Sequence, residues 1–96
     1  EEVGRLHMLE SLVLRGNALE GQIPNALGEL ARLERLDLGQ NRLKGEIPRS
    51  FCNLMRLRVL VLDWNELIGR LPDSLSFLPW LESLNVSNNG LTGMVP

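Results

Sequence analysis

The chain offers little material for catalysis, and that material is scattered. It has one histidine, His7, and one cysteine, Cys52. A His-based proton relay or a His/Cys metal cluster needs several such groups converging on one point, so neither can be assembled. Cys52 stands where positions 24 residues apart carry Gly4, Gly28 and Ser76. It therefore reads as a small, partly buried side chain rather than a nucleophile paired with a base. Glu10, Glu34 and Glu82 share a column, but Arg58 interrupts it, and carboxylates so interleaved solvate a face. The glycines occur singly, with no phosphate-cradling loop. The sequence reads as non-enzymatic, with neither metal nor cofactor. One modification signal remains: Asn85-Val86-Ser87 is the only Asn-x-Ser/Thr triplet, an acceptor for an N-linked glycan if the chain takes the secretory route.

Composition narrows the partners. A length of 96 residues with 44% hydrophobic and 23% charged residues suits one small domain. A net charge of −2 supplies no basic field for nucleic acid or a membrane surface. No apolar run is long enough to cross a bilayer, and "EEVGRLHMLE" lacks the basic start and apolar block of a secretory leader. Any membrane link is expected through parts of a parent protein outside this chain.

What positions these residues is a period of 24. "LEGQIP" (19–24), "LKGEIP" (43–48), "LIGRLP" (67–72) and "LTGMVP" (91–96) are near-copies at that spacing. In the same register fall Leu9, Leu33, Leu57 and Leu81; Leu12, Leu36, Leu60 and Leu84; and Leu14, Leu38, Leu62 and Val86. A further apolar pair closes each unit: Val3, Leu27, Phe51 and Leu75, with Leu6, Leu30, Leu54 and Leu78. No unit of this size buries its leucines alone, so each is one turn of a stacked solenoid. "LVL" (12–14) and its echoes alternate inward apolar with outward variable residues, the pattern of a short strand. Stacked turns pair those strands in parallel at about 4.8 Å. The proline of each "GxIP" segment suits extended or helix-starting backbone outside that sheet, followed by a short 3₁₀ or α turn.

Two further columns separate structure from recognition. Asn17, Asn41, Asn65 and Asn89 sit beside core leucines, where a buried amide left unpaired costs about 1–3 kcal/mol. They are expected to form a ladder that satisfies backbone groups where the chain leaves each strand. The outward positions carry no core demand and are free to serve binding. On them lie Arg35, Asp37, Gln40, Val59, Val61, Asp63 and Trp64, offered here as the ligand-binding set, with Trp64 its centre and Trp80 a weaker candidate. Asn85 also points outward in this scheme.

"LERLDLGQNRLKGEIPRSFCNLMR" (33–56) resembles the leucine-rich repeat in its plant-type form, with the Leu-x-Gly-x-Ile-Pro segment. The resemblance covers the whole chain, as one segment spanning 1–96. Repeats occupy 9–32, 33–56 and 57–80, with partial repeats at 1–8 and 81–96. It implies an α/β-type solenoid: a right-handed superhelix of four turns, with parallel strands on a concave face and a 3₁₀ or irregular convex side. It also implies extracellular or cell-surface recognition of a protein or peptide. Receptor ectodomains are the leading role, with pectinase inhibition or an architectural spacer as alternatives. Both ends fall at one phase of the repeat, without paired-cysteine caps, so an excised piece of a longer solenoid is expected, with a natural short protein as the alternative. Apolar surface at Leu6 and Leu9, and at Leu91 and Val95, is then expected to favour fraying or end-to-end association.

Overall fold

The computed structural model describes residues 8–92; Val3, Gly4, Leu6, His7, Gly93, Val95 and Pro96, which figure in the reading above, lie outside them. Each repeat leaves the same trace. A three-residue strand begins the turn: β1 (Ser11–Val13), β3 (Arg35–Asp37), β5 (Val59–Val61) and β7 (Ser83–Asn85). These pair in parallel in the order β1-β3-β5-β7, with Leu12, Leu36, Leu60 and Leu84 in one register row. The strands form because alternate leucines bury on one side while the other side tolerates any residue. Leu36, Leu60 and Leu62 have no measurable exposure, and burying each contributes about 2 kcal/mol.

A second parallel sheet was not anticipated. It runs β2-β4-β6-β8, formed by β2 (Glu20–Gln22), β4 (Arg42–Gly45), β6 (Glu66–Arg70) and β8 (Gly90–Thr92). The expectation that the "GxIP" approach is merely extended backbone is corrected here: its backbone groups find partners in the neighbouring turn. Its pairs, such as Glu20 with Arg42 and Lys44 with Glu66, lie 22 residues apart rather than 24. Residues equivalent by repeat therefore do not face each other, which hides this sheet from a search by period. The glycine of each segment carries its turn: Gly21, Gly45 and Gly69 have φ of 83, 76 and 82°, a left-handed conformation that other residues adopt only under strain.

Proline then ends the strand and starts a 3₁₀ turn, at Asn25–Glu29, Arg49–Asn53 and Asp73–Phe77. Pro24, Pro48 and Pro72 sit at the N-cap, where their missing N–H is no loss. The turns drop Leu27, Phe51 and Leu75 onto one continuous core with Leu30, Leu54 and Leu78. Leu9 and Leu91 are half-buried at the two ends of that core.

Candidate functional site

Where the chain leaves each first-sheet strand, three columns lie side by side. The asparagine column is buried in the middle of the stack. Asn65 Nδ2 donates to the carbonyls of Leu38, Leu62 and Asp63 at 3.0, 3.1 and 3.3 Å, while its Oδ1 accepts from Leu43 N at 3.0 Å. Asn41 donates to Leu14, Leu38 and Gly39 carbonyls and accepts from the N–H groups of Asn17 and Leu19. Asn89 repeats the pattern with Leu62, Val86 and Ser87 carbonyls and Leu67 N. Each amide thus ties its own turn to the preceding one. Asn17 is exposed, and among the described residues its side chain donates to Arg15 O alone.

The column one residue earlier holds Gly16, Gln40, Trp64 and Asn88, all left-handed, with φ of 73, 53, 57 and 59°. Interturn hydrogen bonds accompany that conformation at its first three members. Gly16 N donates to Gly39 O, Gln40 N to Asp63 O at 2.8 Å, and Trp64 N to Ser87 O at 3.0 Å. Trp64 O in turn accepts from Asn41 N at 3.2 Å. A tryptophan at positive φ is an outlier among L-residues, costing on the order of 1–3 kcal/mol. The residue is 57% exposed and is not a member of the buried core. Val59 and Val61 are half-exposed on the adjoining strand, and Arg35 and Gln40 are exposed.

Two members of the proposed binding set are not open to solvent. Asp37 and Asp63 are only 5% and 6% exposed, because both carboxylates are held by Arg15. Its guanidinium donates to Asp63 through Nη1 at 2.9 Å and Nη2 at 3.0 Å, and to Asp37 Oδ1 at 3.2 Å. The bidentate link spans two turns and crosses Gly39, where a Cβ would collide with both Arg15 Nη1 and Asp63 Oδ1. Gly39 is thus a passage for the ion pair. The hydrogen bonds from Arg15 are the main cause that holds the Asp63 carboxyl below its ordinary range, with burial opposing. A signal for this was present in the sequence: opposite charges at 15 and 63 flank a glycine at 39 in one column.

A shallow groove runs along the other edge of the same strands, lined by Glu34, Arg56, Arg58, Trp80 and Glu82. Arg58 bridges the interrupted carboxylate column, 3.1 Å from Glu82 and 3.9 Å from Glu34. Trp80 is 62% exposed there. Cys52 is half-buried, its sulfur against the Ser74 hydroxyl. Among the described residues no group of three His, Cys, Asp or Glu converges as a metal site requires, and no helix is long and apolar enough to cross a membrane.

The comparisons with known proteins agree on the architecture. The family model described as Leucine rich repeat matches residues 7–67, and a second one of that description matches residues 80–96. No curated protein matches the chain by sequence. Among solved structures, the chain is similar to one in the BIR3–SERK2 complex from Arabidopsis thaliana, at 39% identity and TM-score 0.88, covering 95% of this chain and 50% of that one. It is similar to one in the Arabidopsis complex of the receptor kinase HAESA with the peptide hormone IDA and the co-receptor SERK1, at 38% and 0.91, covering 99% and 16%. A plant ice-binding protein also matches, at 37% and 0.88, covering 94% and 29%. The chain spans half the length of the first and under a third of the other two.

Proposed function

The chain belongs to the leucine-rich repeat family in its plant-type form, and from that membership we propose that it is a non-catalytic recognition module binding a protein or peptide on its concave face. The observation that carries this reading is Trp64, a large side chain held on strained left-handed backbone yet mostly exposed. Backbone strain of this kind concentrates at functional sites, and tryptophan is enriched among residues that dominate interface energies. Val59 and Val61 extend its apolar area along β5. With Asp37 and Asp63 engaged by Arg15, the exposed polar members of the binding set are Arg35 and Gln40. The complex of the similar receptor kinase HAESA with a peptide hormone and a co-receptor favours partners of those classes. A place in a plant cell-surface receptor, outside the cell, follows as the setting.

The test is a binding screen of wild type, Trp64→Ala and Trp80→Ala against secreted plant peptides and receptor ectodomains. Trp64→Ala should weaken a genuine partner by about 2 kcal/mol or more, roughly 30-fold, and Trp80→Ala far less. Equal binding by wild type and Trp64→Ala, both folded by circular dichroism, would remove Trp64 from the site. Absence of any binder in the panel would favour the spacer role.

A further inference from the structure

We infer that Asn85 carries an N-linked glycan that stands on the concave face at its fourth turn. The triplet Asn85-Val86-Ser87 is the only acceptor sequence in the chain, and the folded geometry leaves room for the product. Asn85 lies on β7 and is exposed, as is Ser87. Its Oδ1 accepts from Ser87 N at 3.1 Å and from the Ser87 hydroxyl at 2.8 Å. Both bonds engage the oxygen alone. No described hydrogen bond uses Nδ2, the atom a glycan must occupy. The equivalent residue two turns earlier, Asp37, makes the same cap to Gly39 N at 3.0 Å, so the cap needs only a side-chain oxygen. It survives attachment at the nitrogen.

The step needs a lipid-linked diphospho-oligosaccharide as donor and its transferring enzyme in the secretory membrane. Asn85 Nδ2 attacks the anomeric carbon, the N–C bond forms, and the bond from that carbon to the phosphate oxygen breaks. The lipid diphosphate departs with the electron pair, and one amide proton passes to a base of the enzyme. Attachment happens on the extended chain during entry; the fold then has to accommodate it, and an exposed strand residue does so without moving the core.

Its position has a consequence. Asn85 pairs in register with Val61, and Ser87 O accepts from Trp64 N at 3.0 Å. The sugar therefore rises one strand away from the proposed anchor, and a partner reaching Trp64 must come in over the first three turns. This last clause rests on the concave-face reading; the attachment itself does not.

The experiment places the full chain behind a cleavable leader, directs it into the lumen of plant secretory vesicles, and measures intact mass. Wild type and Ser87→Thr should carry an added mass that an amidase removes, leaving aspartate at position 85. Asn85→Gln and Ser87→Ala should carry none. Lumenal wild type of unmodified mass, or an added mass that persists in Asn85→Gln, would overturn the proposal. Either result leaves the Trp64 binding test untouched, so the two readings fail separately.

Discussion

Two adjacent columns at the strand exits differ in what the repeat demands of them. In the column of Asn17, Asn41, Asn65 and Asn89, the demand falls on the side chain. Three carbonyls and at least one N–H meet each interior amide, and only a residue with both donors and an acceptor fills that place. In the column of Gly16, Gln40, Trp64 and Asn88, the demand falls on the backbone. Four different residues share one left-handed conformation, and the first three each donate a main-chain bond to the next turn. A repeat can thus fix identity at one position and conformation at the next. Where only conformation is fixed, glycine or asparagine is the comfortable choice, and a tryptophan there needs a reason outside the fold.

The largest effect should come from the first column. Asn65→Ala would leave Leu43 N unpaired within the stack and strip one of two donors from each of the Leu38, Leu62 and Asp63 carbonyls, which keep Asn41 Nδ2, Asn89 Nδ2 and Gln40 N. We expect a loss of about 2 kcal/mol or more, read as a lower denaturant midpoint at unchanged slope. Asn17→Ala, exposed and with a single bond to Arg15 O, should change stability by less than about 0.5 kcal/mol. Similar midpoints for the two variants would erase the distinction between a buried ladder and solvated turn asparagines.

The second column should respond with the opposite sign. Trp64→Gly removes a bulky side chain from positive φ, and stability should rise by about 1 kcal/mol. The same substitution should weaken partner binding as Trp64→Ala does. A gain in stability with a loss in binding is what a strained recognition residue predicts. If Trp64→Gly instead destabilises, the ring is packing against its neighbours and belongs to the fold.

The sequence revealed one of these columns far better than the other. The asparagines and leucines were legible because burial and hydrogen bonding dictate residue type, and type is what a sequence records. The left-handed column was not, since Gly16, Gln40, Trp64 and Asn88 share no chemistry, only a dihedral angle. The second sheet escaped for a related reason: its partners lie 22 residues apart while the repeat is 24. Asp37 and Asp63 looked outward and free because alternation along β3 and β5 was the only guide. Nothing in that alternation says that Arg15, 48 residues from Asp63, crosses the face to reach it. Trp64 was legible as an exception to the pattern, though the strain that makes it a stronger candidate was not.

The smallest expected effect joins the two columns through Asp63. Its carbonyl accepts from Gln40 N and from Asn65 Nδ2, and its carboxylate is clamped by Arg15. The clamp holds the folded carboxyl below the usual range, chiefly through the Arg15 hydrogen bonds, whereas an unfolded aspartate titrates near about 3.9. A carboxyl whose folded value is depressed contributes stability that is fully present above the unfolded value. That contribution is lost as pH falls through the folded value. Arg15 stays charged throughout this range, so it adds no slope of its own. Wild type should therefore exceed Asp63→Asn in stability by a constant margin above about pH 5, and the margin should shrink as pH drops below about 4. In a Trp80→Phe background, Trp64 fluorescence should register the same acid step, since the residue beside it is the one losing its clamp. A margin that stays flat down to the acid limit would mean that Arg15 and Asp63 are not paired in solution. The corner beneath Trp64 would then be held by main-chain bonds and the Asn65 amide alone.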